Sequence, residues 1–351
     1  MQTDETSVLK QFSTTKFLLP VGIGLSVAAF MIWRNFDSNA FDKITWTWTS
    51  SLWIALAFVS VLVREMAYMM RIRILTDSHL SWYRSFIVIM LWECSSALAP
   101  GIIGGGFFFA IFILSREGVN VGRSISVITF SNFLDGVFLA CMVPIVYWIA
   151  GADALFSGVQ LQTGLGKSLY YSFWSVYYIM VAYKIFVAYA LFVNPYLIKR
   201  MLAAVFSLPL LKRFRRGVIE TGNQLIIASE DLKTKNLRYW TGALVTTFIS
   251  WTARYSIVNC IIHAFHGTAP LADFVVYGKQ VIMGIILFAS PTPGGSGLAE
   301  FIFSDFLGQY IQVGLAPSLA LLWRLISFYP YIIIGAVILP RWVRAKVFNK
   351  L

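Results

Sequence analysis

Ser290-Pro291-Thr292-Pro293-Gly294-Gly295-Ser296-Gly297 interrupts a long apolar stretch with two prolines and three glycines in eight residues. A second interruption, Ala99-Pro100-Gly101-Ile102-Ile103-Gly104-Gly105-Gly106, lies in the first half of the chain. Proline removes a backbone donor and glycine loosens the helix, so each break frees N–H and C=O groups. Hydrocarbon offers those groups no water. Such breaks survive at membrane depth only where protein or a wet cavity covers them. One break in each half of a chain is the sequence sign of a transporter's midplane binding site.

The remaining composition requires a membrane. Of 351 residues, 58% are hydrophobic and 13% charged, and the mean hydropathy is +0.73, which excludes an ordinary soluble domain. Apolar runs at 17–33, 51–70, 124–149, 170–193, 239–265 and 318–340 are each long enough to cross about 30 Å of hydrocarbon. The first run follows Asp4 and Glu5 and precedes no small-residue cleavage site, so it is expected as a retained span. Stretches 85–115 and 270–313 carry the breaks near their middles. Each reads either as two tilted spans or as a re-entrant hairpin.

Charge separates these readings. Basic residues gather in 198–238, at Arg71, Arg73 and Arg84, and in the tail at Arg341, Arg344, Lys346 and Lys350. Placing all of them in the cytoplasm requires both broken stretches to return to the side they entered. The expected fold is an all-α integral membrane protein in one domain, 1–351. It has about six full spans, both termini cytoplasmic, and two re-entrant hairpins entering from opposite faces. The competing reading makes Gly101 and Gly105 a G-x-x-x-G packing face, with the breaks as simple kinks. The net charge of +12 resides in loops beside the spans, which favours anionic inner-leaflet lipid over nucleic acid. Residues 211–237 read as a basic amphipathic helix on that leaflet, or as a solvated loop helix.

The motifs resemble a known family. Pro100-Gly101-Ile102-Ile103-Gly104-Gly105-Gly106, Ser115-Arg116-Glu117-Gly118 and Phe133-Leu134-Asp135-Gly136 are similar to the first half of the lysylphosphatidylglycerol synthase transmembrane family. Ser250-Trp251-Thr252-Ala253-Arg254-Tyr255, Pro291 through Glu300 and Trp323-Arg324-Leu325-Ile326-Ser327-Phe328-Tyr329 are similar to its second half. The P-x-P-G-G-x-G-x-x-E run is the most specific. The resemblance implies a lipid flippase of the cell inner membrane. The last apolar run ends shortly before Leu351, so a stand-alone membrane region without a C-terminal synthase domain is expected. Aminoacylation is not carried over.

Ionisable residues inside spans are costly and face a cavity, a partner or a pathway. Glu93, Asp135, Arg254, Glu300, Asp305 and Arg324 occupy such positions. The expected headgroup site combines Glu93, Asp135, Arg254, Glu300 and Arg324 with Pro100, Gly104, Gly105, Pro293, Gly294, Gly295 and Gly297 at the breaks. The helix ends would present N–H groups to a lipid phosphate, the arginines fixed positive charge, and the carboxylates a counterweight or a seat for a cation. Asp135–Arg254 and Glu300–Arg324 are alternatively static ion pairs. Arg64, Glu65, Arg71 and Arg73 read as interfacial anchors, and Arg116–Glu117 as a gate or a capped turn.

His263 and His266 lack a third ligand of suitable spacing, and no Walker lysine, nucleophile elbow or dinucleotide fingerprint is present. No metal or cofactor is expected. The leading expectation is a non-enzymatic transporter of a phospholipid or related lipid, with room for a homo-oligomer. A headgroup-modifying membrane enzyme and a pathway scaffold are the alternatives.

Overall fold

The computed structural model describes residues 46–99, 106–157, 163–194, 232–265 and 273–346, with single positions 33, 196, 197, 200, 204, 223, 226 and 230. The expected span 17–33, nearly all of the basic segment 198–238, and Pro100, Gly104 and Gly105 lie outside these residues.

Among the described residues, α1 (Trp48–Leu75) begins the chain's helical path, and Thr47 and Ser50 close its first turn as a reciprocal cap. At about 1.5 Å per residue its 28 residues reach about 42 Å, enough to cross a bilayer. Its faces are inside-out relative to a soluble helix. Leu52, Leu56, Val59, Leu62, Val63, Met66 and Met70 are exposed, while Arg64, Glu65 and Arg71 are buried. Lipid favours that arrangement because it solvates the apolar stripe and cannot solvate the charges.

Next come α2 (Trp82–Leu98) and α3 (Phe107–Arg116), which pack on each other as the arms of a hairpin. Gly106 closes against the Ser95 and Ser96 side chains, leaving no room for a Cβ. Then follow α4 (Val121–Ala150), the short α5 (Ala152–Phe156) and α6 (Gly164–Ala188), which ends in a π-turn over Tyr189–Val193.

The second half repeats this plan. Helix α7 (Leu237–Ala264) has 28 residues, as α1 does. A hairpin of α8 (Asp273–Phe288) and α9 (Leu298–Leu307) follows, with arms of 16 and 10 residues against 17 and 10 in the first hairpin. A 31-residue helical run, Ala316–Lys346, closes the half as the 30-residue α4 closes the first.

Helices α1 and α7 pair along their lengths in opposite directions. Trp53 stacks on His263 at one end with ring centroids 4.2 Å apart, and Arg71 meets Thr247 at 3.2 Å towards the other. The two halves therefore share one succession of elements, and their leading helices α1 and α7 run antiparallel. Their cross-contacts match too: α2 packs on the last run through Cys94 and Gly335, and α8 packs on α4 through Gly278 and Val146.

Among the described residues, three helical runs are long and apolar enough to cross a membrane: Trp48–Leu75, Val121–Ala150 and Ala316–Lys346. They carry the expected spans 51–70, 124–149 and 318–340. The expected spans 170–193 and 239–265 fall on α6 and α7, which have crossing length but more polar faces. The 318–340 run differs from a plain span. It divides at Phe328 (φ −131°) into α10 (Ala316–Ser327) and α11 (Tyr329–Lys346). Pro330 explains the break, since it has no N–H to give the preceding turn.

Candidate functional site

The second break is built from glycines that only a loop could use. Gly294, Gly295 and Gly297 have φ of 57°, 68° and 87°, a region that side chains with a Cβ rarely enter. The resulting turn ends at α9, where the carboxylate of Glu300 accepts from the Gly297 N–H at 2.8 Å. An acid at this position satisfies a free donor and complements the helix dipole.

Its other oxygen accepts from Arg324 Nε at 3.1 Å, and Arg324 Nη2 reaches the Gly294 carbonyl at 2.9 Å and Ser296 Oγ at 3.4 Å. The guanidinium lies 3.7 Å from the centre of the Phe328 ring. Pro293 opens this turn. Arg324 therefore fastens the loop to α10, and Glu300 to the start of its own helix.

The second break approaches the end of α2. A Cβ at Gly294 would collide with the Phe328 ring and with the Ala97 carbonyl, at the end of the first hairpin's leading arm. Ala97, Tyr329 and Ile332 form a small core there, with Leu321 and Phe328 packed against it. Beside this junction lies a set of charges contributed by α1, α2 and α7, joined by the Tyr331 hydroxyl of α11.

Arg64 is fully buried, and its Nε donates to Glu65 Oε1 at 2.9 Å. The same oxygen accepts from Tyr331 Oη at 2.7 Å. Glu93 is half-buried on α2, within electrostatic reach of Arg64, Tyr68 and Arg254. Arg254 donates to Tyr68 Oη at 3.4 Å and lies over the Trp251 ring.

Asp135 does not pair with Arg254. It accepts from both Nη atoms of Arg71, the second at 3.4 Å, and from Trp251 Nε1 at 2.6 Å. Helix α1 extends to Leu75 and brings Arg71 to the carboxylate first. The interfacial reading of Arg64, Glu65 and Arg71 is thus corrected, since all three are interior. The overlooked signal was spacing: Arg64, Tyr68 and Arg71 recur at i, i+4 and i+7 and so share one helix face.

Two interior lysines, the half-buried Lys184 and the buried Lys279, also escaped the sequence reading. Lys184 Nζ donates to the Asn132 carbonyl at 2.8 Å and to its side-chain oxygen at 2.6 Å. Asn132 and Asp135 therefore serve different partners. Lys279 Nζ donates to the carbonyls of Ser157 and Phe306, joining the ends of α5 and α9. Asp305 is half-buried within electrostatic reach of that lysine.

Away from the centre, Glu117 is buried, with Trp342 Nε1 at 2.6 Å and Lys346 at 3.1 Å, which ties the first hairpin to α11. At the α1–α2 turn, Asp77 pairs with Lys235 at 2.8 Å and with Arg123. Partial burial pushes its carboxyl up, but the two cations outweigh this and hold it below the usual carboxylate range. His263 meets Asp273 at 2.7 Å near the other end of α7.

The sequence pattern described as the lysylphosphatidylglycerol synthase TM region matches residues 17–335. A protein of Archaeoglobus fulgidus named "UPF0104 membrane protein" is 22% identical over 329 residues, covering 90% of this chain and 94% of the relative.

Proposed function

We infer, from the premise that the chain belongs to the lysylphosphatidylglycerol synthase transmembrane family, that it moves a phospholipid or related lipid headgroup between the leaflets of the cell inner membrane. A charged headgroup crossing bare hydrocarbon loses its hydration at a cost of several kcal/mol or more. A carrier must replace that water with polar protein groups midway. The observation that carries this reading is the contact of Gly294 with the Ala97 carbonyl. It sets the Glu300–Arg324 turn against the end of α2, the helix that carries Glu93 within electrostatic reach of Arg64 and Arg254.

In this reading both hairpins are re-entrant and enter from opposite faces, with the chain termini cytoplasmic. Inversion supplies the mechanism. Two like halves that exchange conformations turn an inward-open chamber into an outward-open one without moving the site. The basic residues of 198–238 rest on anionic lipid of the inner leaflet.

A leaflet-resolved assay in proteoliposomes, followed by mass spectrometry of the extracted lipid, tests the proposal. The expected result is headgroup-labelled phosphatidylglycerol changing sides with its mass unchanged. A new lipid product would favour a headgroup-modifying enzyme. Neither signal, with a stable complex to another membrane protein, would favour a scaffold.

A further inference from the structure

The buried guanidinium groups divide by what holds them. Arg71 is taken up by Asp135 and Thr247. Arg324 is taken up by Glu300, Gly294 and Ser296. Arg64 is different: only its Nε is engaged, by the neighbouring Glu65. Its Nη1 and Nη2 are sealed from solvent with no hydrogen-bond partner among the described residues.

A guanidinium in a low-dielectric interior is costly when donors stay idle, and the Glu65 ion pair, the nearby Glu93 carboxylate and the Tyr331 ring offset its charge without satisfying Nη1 or Nη2. The edge left idle is the one that grips two oxygens of a phosphate or carboxylate at once. Arg254, Tyr68 and Glu93 stand nearby, so a second positive charge, a hydroxyl and one carboxylate share the region.

We propose that Arg64 is the oxyanion-binding residue of the polar centre, accepting a phosphate group through its free Nη1 and Nη2 edge. The proposal rests on the transport reading above and deepens it. It shifts the anion from Arg324, whose Nε and Nη2 are held by Glu300 and the glycine turn, to an arginine that the sequence reading assigned to the interface. Phosphate is chosen over carboxylate because a membrane lipid carries it at the headgroup, where the chamber needs it.

Access is governed by Tyr331. Its ring covers the guanidinium, with Arg64 Cζ 4.7 Å from the centroid, and its hydroxyl donates to the Glu65 oxygen that also holds Arg64. Tyr331 stands three residues after the helix break at Phe328. Rotation of the first turn of α11 at that break uncovers Arg64 without unfolding either helix.

The test is binding by the full chain in neutral detergent. Dioleoylphosphatidylglycerol and, separately, inorganic phosphate are titrated, with bound species counted by native mass spectrometry. Native protein should bind the lipid at least about tenfold more tightly than Arg64→Lys, the size of one lost charged hydrogen bond. Lysine keeps the charge and loses the fork. Arg84→Lys, at a side chain that is 49% exposed, should bind like the native protein.

Inorganic phosphate binding with the same dependence on Arg64 would support the site and name free phosphate as its source. Equal binding by native protein and Arg64→Lys would overturn the proposal. Should Arg64→Lys fail to fold, Glu65→Gln decides. Removing the competing carboxylate must tighten anion binding, and unchanged or weaker binding overturns the proposal. Binding that depends on Arg64 in a protein that exchanges no lipid would sink the transport reading and leave the oxyanion site standing.

Discussion

Arg324 and Arg64 are both buried arginines, one in each half of the chain, and their surroundings differ. The glycine turn at 294–297 presents Gly294 O and Ser296 Oγ to Arg324, and Glu300 completes its partners. Arg64 faces the ring of Tyr331 and keeps two donors idle. A buried ion pair rarely stabilises more than a hydrophobic replacement would, so an arginine kept with idle donors points to use rather than stability. Arg324 staples the glycine turn to α10. Arg64 is the one proposed above to hold an anion.

That contrast can be broken at either arginine. Arg324→Ala should cost about 3–5 kcal/mol, because it strands a buried carboxylate and frees the Gly294 carbonyl. Denaturant unfolding in micelles measures this, and a loss below 1 kcal/mol would remove the staple. Gly294→Ala should follow at about 1–3 kcal/mol, from the forced positive φ and the collision with Phe328. Thermal midpoints of native and variant protein check it.

Replacing both Arg64 and Glu65 by Met should leave stability within about 1 kcal/mol of native or above it, while abolishing anion binding. A large destabilisation would make Arg64 a second staple. The smallest effect belongs to Asp77→Asn at the α1–α2 turn. The native carboxyl is held low, so its stabilising contribution is full above the unfolded value of about 3.9 and is lost as pH falls through the lower folded value. Because the side chain is 43% exposed, salt should shrink it further. The midpoint gap between native and Asp77→Asn should be measurable at pH 7 and close on acidification below about pH 4.

Long-range geometry decided which parts of this arrangement the sequence revealed. The second break was legible because proline and glycine have few other uses inside apolar stretches. Glu300 and Arg324 were legible because charge inside a span is rare. The Asp135–Arg254 pairing failed because proximity along an assumed bundle cannot rank two arginines. Arg71 reached Asp135 only because α1 runs five residues past the expected span end. Arg64 was misplaced for the same reason: basic residues at 71, 73 and 84 made the end of that span look like a membrane surface. Lys184 and Lys279 bind backbone carbonyls far away in sequence, a relation that leaves no local pattern. The division of the last run at Phe328 did have a signal, Pro330, which a reading by hydropathy alone passes over.

The central claim is that headgroups cross through the charges gathered where the inverted hairpins meet. Its most direct test is the rate of leaflet exchange of headgroup-labelled phosphatidylglycerol in vesicles holding equal amounts of native, Glu300→Gln or Arg254→Ala protein. Exchange well above that of protein-free vesicles for the native chain, falling to their level in both variants, is the predicted result. Equal rates for all three proteins would contradict the account.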